Sequence, residues 1–303
     1  MDIIAIIVHG FAGSRGFMKE IEDSLSSPPF TEYYSKVWNL TYYSSSHGLD
    51  FSLPYDLMTP IYSRDTKQTL SHKLFYEIDS RLQDHPEEVY IDFFSHSMGG
   101  LVTRALLTYL ATPNRNLQGL RIGKGIVRKV HLLGTPNRGT RLAQRAINIP
   151  LDILLSGLNL ILELPRGGIT REDFDILKSQ FIQMIPKSTF LKRLNKPRKE
   201  RMTILRSLKW VTVRGLNSSG LLGIVWQPLL FRKFWIDRNS PFLHPGIIPN
   251  DGLVDGSSVP LPYARNFTSK NATHMDLLRW KNNPSGQRIC QLIQRELLSN
   301  PLS

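Results

Sequence analysis

Cysteine is almost missing from this sequence, since Cys290 is the single one among 303 residues. One thiol forms no intrachain disulfide and supplies no pair of thiolate ligands, so a disulfide scaffold and a cysteine-based zinc site are excluded. Long apolar runs are missing too, because no stretch reaches the roughly 18 residues that a membrane-spanning helix needs. With 41% hydrophobic and 21% charged residues, the composition is that of a globular protein rather than a disordered or fibrous one.

Acidic residues are also in short supply, with 25 Asp and Glu against 38 Lys and Arg and a formal net charge of +13. The electrostatic field of so positive a protein attracts anionic partners. The basic residues are densest at 187–201, which is predicted either as a solvated surface or as a patch that faces phosphate groups or an anionic membrane. No zinc-finger spacing and no aromatic RNA-binding signature accompanies the charge, so nucleic acid is not predicted as a partner.

The amino terminus lacks the basic region and cleavage site of a secretory signal peptide. Asp2 precedes a short apolar run over 3–8, which predicts a parallel strand buried on both faces. The protein is therefore expected in the cytoplasm, either free or peripheral at a membrane.

Strand-like and helix-like segments alternate along the chain. This alternation is typical of an α/β fold with a mostly parallel sheet and helices on both faces. The length is near the upper limit for one hydrophobic core, so 1–303 is expected to form a single domain that carries an insertion. Strands are predicted at 3–8, 37–42, 89–94, 126–133, 209–214 and 264–268, and helices at 14–25, 67–83, 101–110 and 274–298.

Two apolar segments interrupt the alternation. Over 147–165 the polar residues share one narrow helical stripe, which predicts either a core helix packed on several sides or a lid over an apolar site. The segment 220–243 is rich in aromatic and aliphatic residues, and it is predicted to pack in the core, to line a pocket or to touch a membrane.

Ser97 is the centre of a small-x-Ser-x-Gly motif between the predicted strand 89–94 and the predicted helix 101–110. This context is that of a nucleophile elbow, a sharp turn that lifts one serine out of the sheet at a helix amino terminus. The flanking positions must be small because strand and helix nearly touch there. Gly99 meets that need, and Ser95 does so in place of the usual glycine.

A serine nucleophile needs a base, and in this elbow the base is a histidine late in the chain. Three histidines follow Ser97. His131 lies inside a predicted strand, which indicates a structural place. His274 follows the last predicted strand and so reaches the carboxyl end of the sheet, where open parallel sheets build their sites. His274 is the predicted base and His244 the alternative.

The acid that orients the base is predicted in the turn-forming loop 250–256, between nucleophile and histidine. Asp251 is the first candidate and Asp255 the alternative, because Asp-Gly pairs also occur where the carboxylate only caps a turn.

An oxyanion hole needs two backbone amides aimed at the developing charge. One is expected from Met98, directly after the nucleophile, and the other from Phe11 in the loop 9–14 after the first strand. That loop lacks the G-x-G-x-x-G pattern, so a dinucleotide site is excluded and no cofactor is predicted.

Together these motifs resemble the α/β-hydrolase superfamily, and within it the serine esterases and lipases. The order and spacing look most like compact bacterial lipases. The resemblance implies an α/β-hydrolase fold, a lid or cap over 141–200, and Ser97, Asp251 and His274 as nucleophile, acid and base. The matching pieces are V-H-G-F-A-G-S at 8–14, S-H-S-M-G-G-L at 95–101, L-L-G-T-P-N-R-G-T at 132–140, N-D-G-L-V at 250–254 and T-H-M-D at 273–276.

The spacing of Asp251 and His274 also matches lipases that often hold a calcium ion. Asp276 fits the first of two further positions in that pattern, but Trp280 stands where the pattern has glutamine. No metal is therefore predicted.

The expected activity is that of a serine carboxylic-ester hydrolase, a lipase or esterase that cleaves apolar acyl esters through an acyl-enzyme. A phospholipase, a thioesterase or an acyltransferase would use the same triad. The alternative from another class is a non-catalytic lipid- or membrane-binding protein. A lipid or ester is the expected substrate, and the sequence predicts no oligomeric state.

Overall fold

The computed structural model of the protein describes residues 2–11, 15–41, 69–83, 85–111, 120–146, 180–217 and 250–298. The segments 147–165 and 220–243 and the alternative base His244 lie outside these ranges.

One sheet organises the described residues. Neighbouring strands are parallel in the order β2-β1-β3-β5-β6-β7, and β4 pairs antiparallel with the first residues of β5. The predicted α/β fold with a mostly parallel sheet is confirmed, although β4 is too short for the sequence pattern to reveal. The strands are β1 (Ile3–Val8), β2 (Lys36–Leu40), β3 (Val89–His96), β4 (Leu120–Ile122), β5 (Gly125–Leu133), β6 (Lys209–Gly215) and β7 (Arg265–Ser269).

Helices cover both faces of the sheet. Side chains of α2, α3, α5 and α6 pack in one hydrophobic cluster, and those of α1 and α7 pack in a second cluster on the opposite face. Within the ranges that the structure covers, no helix is both long and apolar enough to cross a bilayer. The helices are α1 (Lys19–Leu25), α2 (Leu70–Gln83), α3 (Met98–Leu110), α4 (Arg141–Ala146), α5 (Thr189–Asn195), α6 (Lys199–Ser207) and α7 (Pro284–Leu298).

The first strand shows why the centre of the sheet is apolar on both sides. Ile4 and Ile6 pack in the cluster of α2 and α3, whereas Ala5 and Ile7 pack with α1 and α7. Side chains of a strand alternate between faces, so a sheet covered twice needs an uninterrupted apolar run. Full burial of each large aliphatic side chain stabilises the fold by about 1.5–3 kcal/mol.

The register brings the carboxyl ends of the central strands level. Val8 of β1 lies opposite Ser95 of β3, and His96 of β3 lies opposite Leu133 of β5. The loops that follow β1, β3 and β5 therefore meet at one edge of the sheet.

The last helix begins later than the sequence predicts. Asn283 caps α7, because its Oδ1 accepts the backbone amide of Ser285 at 2.8 Å, and Pro284 fills the first helical position. Residues 274–283 form turns, and most of their apolar side chains are buried against the second cluster. The predicted helix start at His274 is wrong, and this histidine lies in a loop.

Candidate active site

Ser97 occupies the sharp turn between β3 and α3, as the single residue between His96 and Met98. Its φ of 52° and ψ of −129° are seldom adopted by residues other than glycine, and such strain persists only where the surrounding contacts impose it. Its amide donates to the carbonyl of Leu133 at 2.8 Å. Ser97 is partly exposed between buried neighbours, as a nucleophile elbow requires.

The turn is closed tightly by its small residues. A Cβ at Gly99 would lie 2.2 Å from the carbonyl oxygen of His9, far inside van der Waals contact, so this position requires glycine. Ser95 is fully buried, and its Oγ lies 2.9 Å from Oγ1 of Thr103 on α3. A serine therefore fits where the motif usually has glycine, because its hydroxyl has a hydrogen-bond partner on the facing helix.

His274 and Asp251 form a buried pair. Nδ1 of His274 lies 2.8 Å from Oδ2 of Asp251, and the two side chains are 4% and 0% exposed. The other carboxylate oxygen accepts the amides of Leu253 and Val254 at 3.0 and 2.7 Å. Because the carboxylate accepts the proton on Nδ1, Nε2 is left as the basic nitrogen. Nε2 is buried and has no hydrogen-bond partner among the described residues, so it can accept a proton within the site.

The alternative residues have other partners. Oδ2 of Asp255 accepts the backbone amide of Arg141 at 3.3 Å and lies 4.0 Å from its Nε, so Asp251 and not Asp255 is paired with His274. His131 is buried inside β5 and stacks on Phe94 with ring centroids 4.4 Å apart. Burial lowers the pKa of His131 to about 4, and its environment is that of a structural histidine.

Of the two predicted oxyanion donors, Met98 directly follows Ser97 in the chain, and Phe11 lines the same cleft as Ser97. Met98 is the first residue of α3, and the first amides of a helix have no intrahelical acceptor. Phe11 follows Gly10, where a Cβ would lie 2.8 Å from Cβ of Ser97. This close approach requires glycine and brings the loop after β1 against the serine. Residues 12–14 of that loop lie outside the described ranges.

Ser97 and His274 line one cleft, which contains about 710 Å³ of non-protein space including open solvent. No Asp, Glu, Lys or Arg lines its described walls. Phe181 comes from the segment predicted as a cap, and its ring packs edge-on against Phe11 with centroids 4.6 Å apart. The apolar lining residues are Phe11, Phe17, Pro136, Leu142, Phe181, Met184, Leu253, Val254, Met275 and Leu278.

No family model and no curated protein matches the sequence. Solved structures do match it. The mature lipase BlEst2 of Bacillus licheniformis is 18% identical, with a TM-score of 0.56 over 97% of this chain and 91% of its own. The metagenomic carboxyl esterase MGS0156 is 16% identical, with a TM-score of 0.52 over 98% of this chain and 76% of its own. The chain has an α/β-hydrolase fold. At these identities the likeness establishes the fold alone.

Within the α/β-hydrolase fold, Asp276 has a structural role in the loop that follows His274. Its Oδ2 accepts the amide of Thr273 at 2.9 Å, and its Oδ1 accepts the side-chain amide of Asn283 at 3.0 Å. Trp280 is buried and donates to the carbonyl of Leu277 at 2.9 Å. In the part of the chain that the structure describes, no group of three or more His, Cys, Asp or Glu side chains could hold a metal ion.

His96 is a further candidate functional residue, and no motif in the sequence singles it out. In this α/β-hydrolase fold it is the buried last residue of β3, it lines the cleft, and it contacts the loop of His274. Only its position directly before Ser97 could have pointed to His96 from the sequence.

Proposed function

We propose that the protein is a serine carboxylic-ester hydrolase, a lipase or esterase that cleaves esters of apolar acyl chains. One observation carries the proposal. Ser97, on a strained turn, shares a cleft with His274, whose Nδ1 is held by the buried Asp251 and whose Nε2 has no partner among the described residues. Serine is a weak nucleophile unless a base takes its proton, and this arrangement supplies a base with its orienting acid.

In the proposed reaction, Oγ of Ser97 attacks the ester carbonyl carbon while Nε2 of His274 takes the hydroxyl proton. Asp251 stabilises the resulting imidazolium, and the amides of Phe11 and Met98 donate to the oxyanion. The carbon–oxygen bond to the alcohol then breaks, the alcohol takes the proton from His274, and the acyl group stays on Ser97. Water then attacks the acyl carbonyl carbon while Nε2 of His274 takes one of its protons. The bond between this carbon and Oγ of Ser97 breaks, Oγ takes the proton back from His274, and the carboxylic acid leaves.

The walls of the cleft support an apolar acyl group as the substrate. Ionised acyl groups would lose hydration without gaining a counter-charge, because no ionised carboxylate, ammonium or guanidinium lines the described walls. Leu142, Phe181 and Met184 contribute to these walls from 141–200. We therefore extend the proposal to this segment, as a cap inserted within the single domain 1–303.

A series of p-nitrophenyl esters from acetate to palmitate tests the proposal. We expect hydrolysis with a preference for medium or long chains, since each buried methylene contributes about 0.8 kcal/mol. Thioester and phospholipid substrates in parallel separate the thioesterase and phospholipase alternatives, and an added alcohol acceptor separates an acyltransferase. Ser97→Ala should abolish turnover while Ser95→Ala, its buried neighbour, retains it. Undiminished hydrolysis by Ser97→Ala contradicts the assignment.

The second part of the proposal is an anionic membrane surface as a partner. The exposed basic surface consists of Lys187, Lys192, Arg193, Lys196, Arg198 and Lys199 on and beside α5 and α6, with Glu200 as its one acid. It begins three residues after Met184, which lines the cleft. Each Lys or Arg near an anionic leaflet contributes about 1 kcal/mol, so binding there would bring the cleft to its lipid.

Vesicles test this second part with two matched triple variants. We expect K192E/R193E/K196E to lose about a hundredfold or more in affinity for phosphatidylglycerol vesicles at low salt. The control K36E/R288E/R295E reverses the same number of exposed positive charges elsewhere on the protein, and it should bind like the wild type. Equal losses in both variants would mean that net charge alone, and not this surface, attracts the membrane.

A further inference from the structure

We infer that His96 is a positioning residue, which fixes the base His274 relative to the nucleophile Ser97. The inference rests on the proposed function, because it assigns to His96 a part in the same reaction. His96 is the last residue of β3, it is 5% exposed, and it lines the cleft.

The contact between the two histidines is direct. Nε2 of His96 lies 3.2 Å from the backbone carbonyl oxygen of His274. A carbonyl oxygen only accepts, so Nε2 of His96 carries the proton and donates it. The two imidazole rings also pack together, with centroids 4.5 Å apart and an angle of 48° between their planes.

The loop that carries His274 gains its position from contacts rather than from a helix or strand. Asp251 holds it on one side, because its carbonyl accepts the amide of His274 at 2.8 Å and its carboxylate accepts Nδ1–H at 2.8 Å. These bonds tie the base to the acid. The bond from His96 comes from the residue next to Ser97 in the chain, so it ties the base to the nucleophile. A misplacement of about 1 Å between reacting groups can cost about a hundredfold in rate.

His96 also adjoins the loop of the proposed oxyanion donor. A Cβ at Gly10 would lie 3.2 Å from Nδ1 of His96 and 2.8 Å from Cβ of Ser97. Burial, followed by the nearby His274, lowers the pKa of His96 well below its usual value. The ring therefore stays neutral with its proton on Nε2, and it adds no cation beside His274 when that base takes a proton.

Two variants of similar size separate the hydrogen bond from the packing. The amide nitrogen of glutamine reaches about the position of imidazole Nε2, whereas methionine has a similar shape and no donor. We expect His96→Met to lower kcat on p-nitrophenyl butyrate roughly tenfold or more, with KM changed less than about twofold, and His96→Gln to recover most of that loss. If His96→Met does not fold, His96→Asn replaces it, because its shorter amide does not reach the carbonyl.

His131→Met is the matched control. His131 is also buried, stacked on a ring and close to a backbone carbonyl, with Nδ1 at 3.2 Å from the oxygen of Phe93. It lies inside the sheet, so its replacement should reduce stability and leave kcat unchanged.

The proton resonance of the hydrogen bond between His274 and Asp251 gives a readout besides turnover. We expect it to shift or broaden in His96→Met and to return in His96→Gln. Equal kcat in His96→Met and the wild type, or equal losses in the Met and Gln variants, overturns the inference about His96. If instead Ser97→Ala hydrolyses esters like the wild type, the proposed function itself has failed.

Discussion

Two buried aspartates, one in the middle of the sheet and one at its carboxyl edge, differ in the partners that surround them. Asp92, in the middle of β3, is fully satisfied: Arg128 donates to both of its oxygens at 3.1 and 2.7 Å, and the hydroxyl of Tyr34 donates at 3.1 Å. Asp251, at the carboxyl edge, also accepts three hydrogen bonds, but its partner His274 keeps one ring nitrogen without a bond among the described residues. The pair of Asp92 and Arg128 lies inside the sheet, whereas His274 of the second pair lines a cleft.

A buried polar atom without a hydrogen-bond partner indicates function only together with its surroundings. His131 also has a buried Nε2 without a partner among the described residues, yet it lies inside the sheet and lines no part of the cleft. His274, in contrast, lines the same cleft as Ser97. Geometry, and not the missing bond alone, separates the two histidines.

Breaking the hydrogen bond between Asp251 and His274 should have the largest effect. Asp251→Asn keeps the shape but no longer favours the proton on Nδ1 of His274, and the loss of such an orienting carboxylate lowers kcat by about 10⁴ in serine hydrolases with this triad. Steady-state kinetics on the best ester measures it. A kcat within a factor of ten of the wild type would mean that Asp251 is not the orienting acid.

Breaking the ion pair between Asp92 and Arg128 should change stability and not turnover. Asp92→Asn leaves Arg128, whose side chain is 9% exposed, without its counter-charge, and the loss of one partner of such a pair costs up to about 3–5 kcal/mol. Asp92 lies five residues before Ser97, roughly 16 Å along the strand, so kcat of the folded variant should equal that of the wild type. Denaturant unfolding measures the loss of stability, and steady-state kinetics on the same preparation measure kcat. A stability loss below about 1 kcal/mol, or a large loss of kcat, would contradict a purely structural role for the pair of Asp92 and Arg128.

The pH dependence of stability tests the structural role of His131, and the expected effect is smaller. Burial lowers the pKa of His131 to about 4, so between pH 6.5 and 4 the unfolded chain binds a proton that the folded protein does not. The free energy of unfolding therefore falls as pH falls through this window, by roughly 3 kcal/mol from His131. His131→Met should flatten the curve without abolishing the slope, because burial also lowers the pKa of His9 to about 4. An unchanged slope would contradict this account of His131.

The parts of the fold that local sequence determines were predictable. The strand over 3–8 and the strand–serine–helix unit around Ser97 follow from short apolar runs, small residues and their order. The helix predicted from His274 was not correct, because apolar residues in turns can mimic helical spacing, and only the cap at Asn283 fixes the start of α7.

The parts of the site that depend on distant contacts could not be read from the sequence. Asp251 and Asp255 stand in one turn, and only the fold decides that Asp251 meets His274 while Asp255 meets Arg141. The contact of His96 with His274 joins residues 178 positions apart, and no local pattern reports such a pair.

Covalent labelling identifies the nucleophile directly. The wild-type protein is treated with a serine-directed p-nitrophenyl phosphonate, and the modified residue is located by peptide mass spectrometry. We predict one adduct, on Ser97, with activity lost in proportion to labelling, and much slower labelling of Asp251→Asn because its base is no longer oriented. Labelling at another residue, or ester hydrolysis that continues undiminished after Ser97 is fully modified, would contradict the claim that Ser97 is the nucleophile.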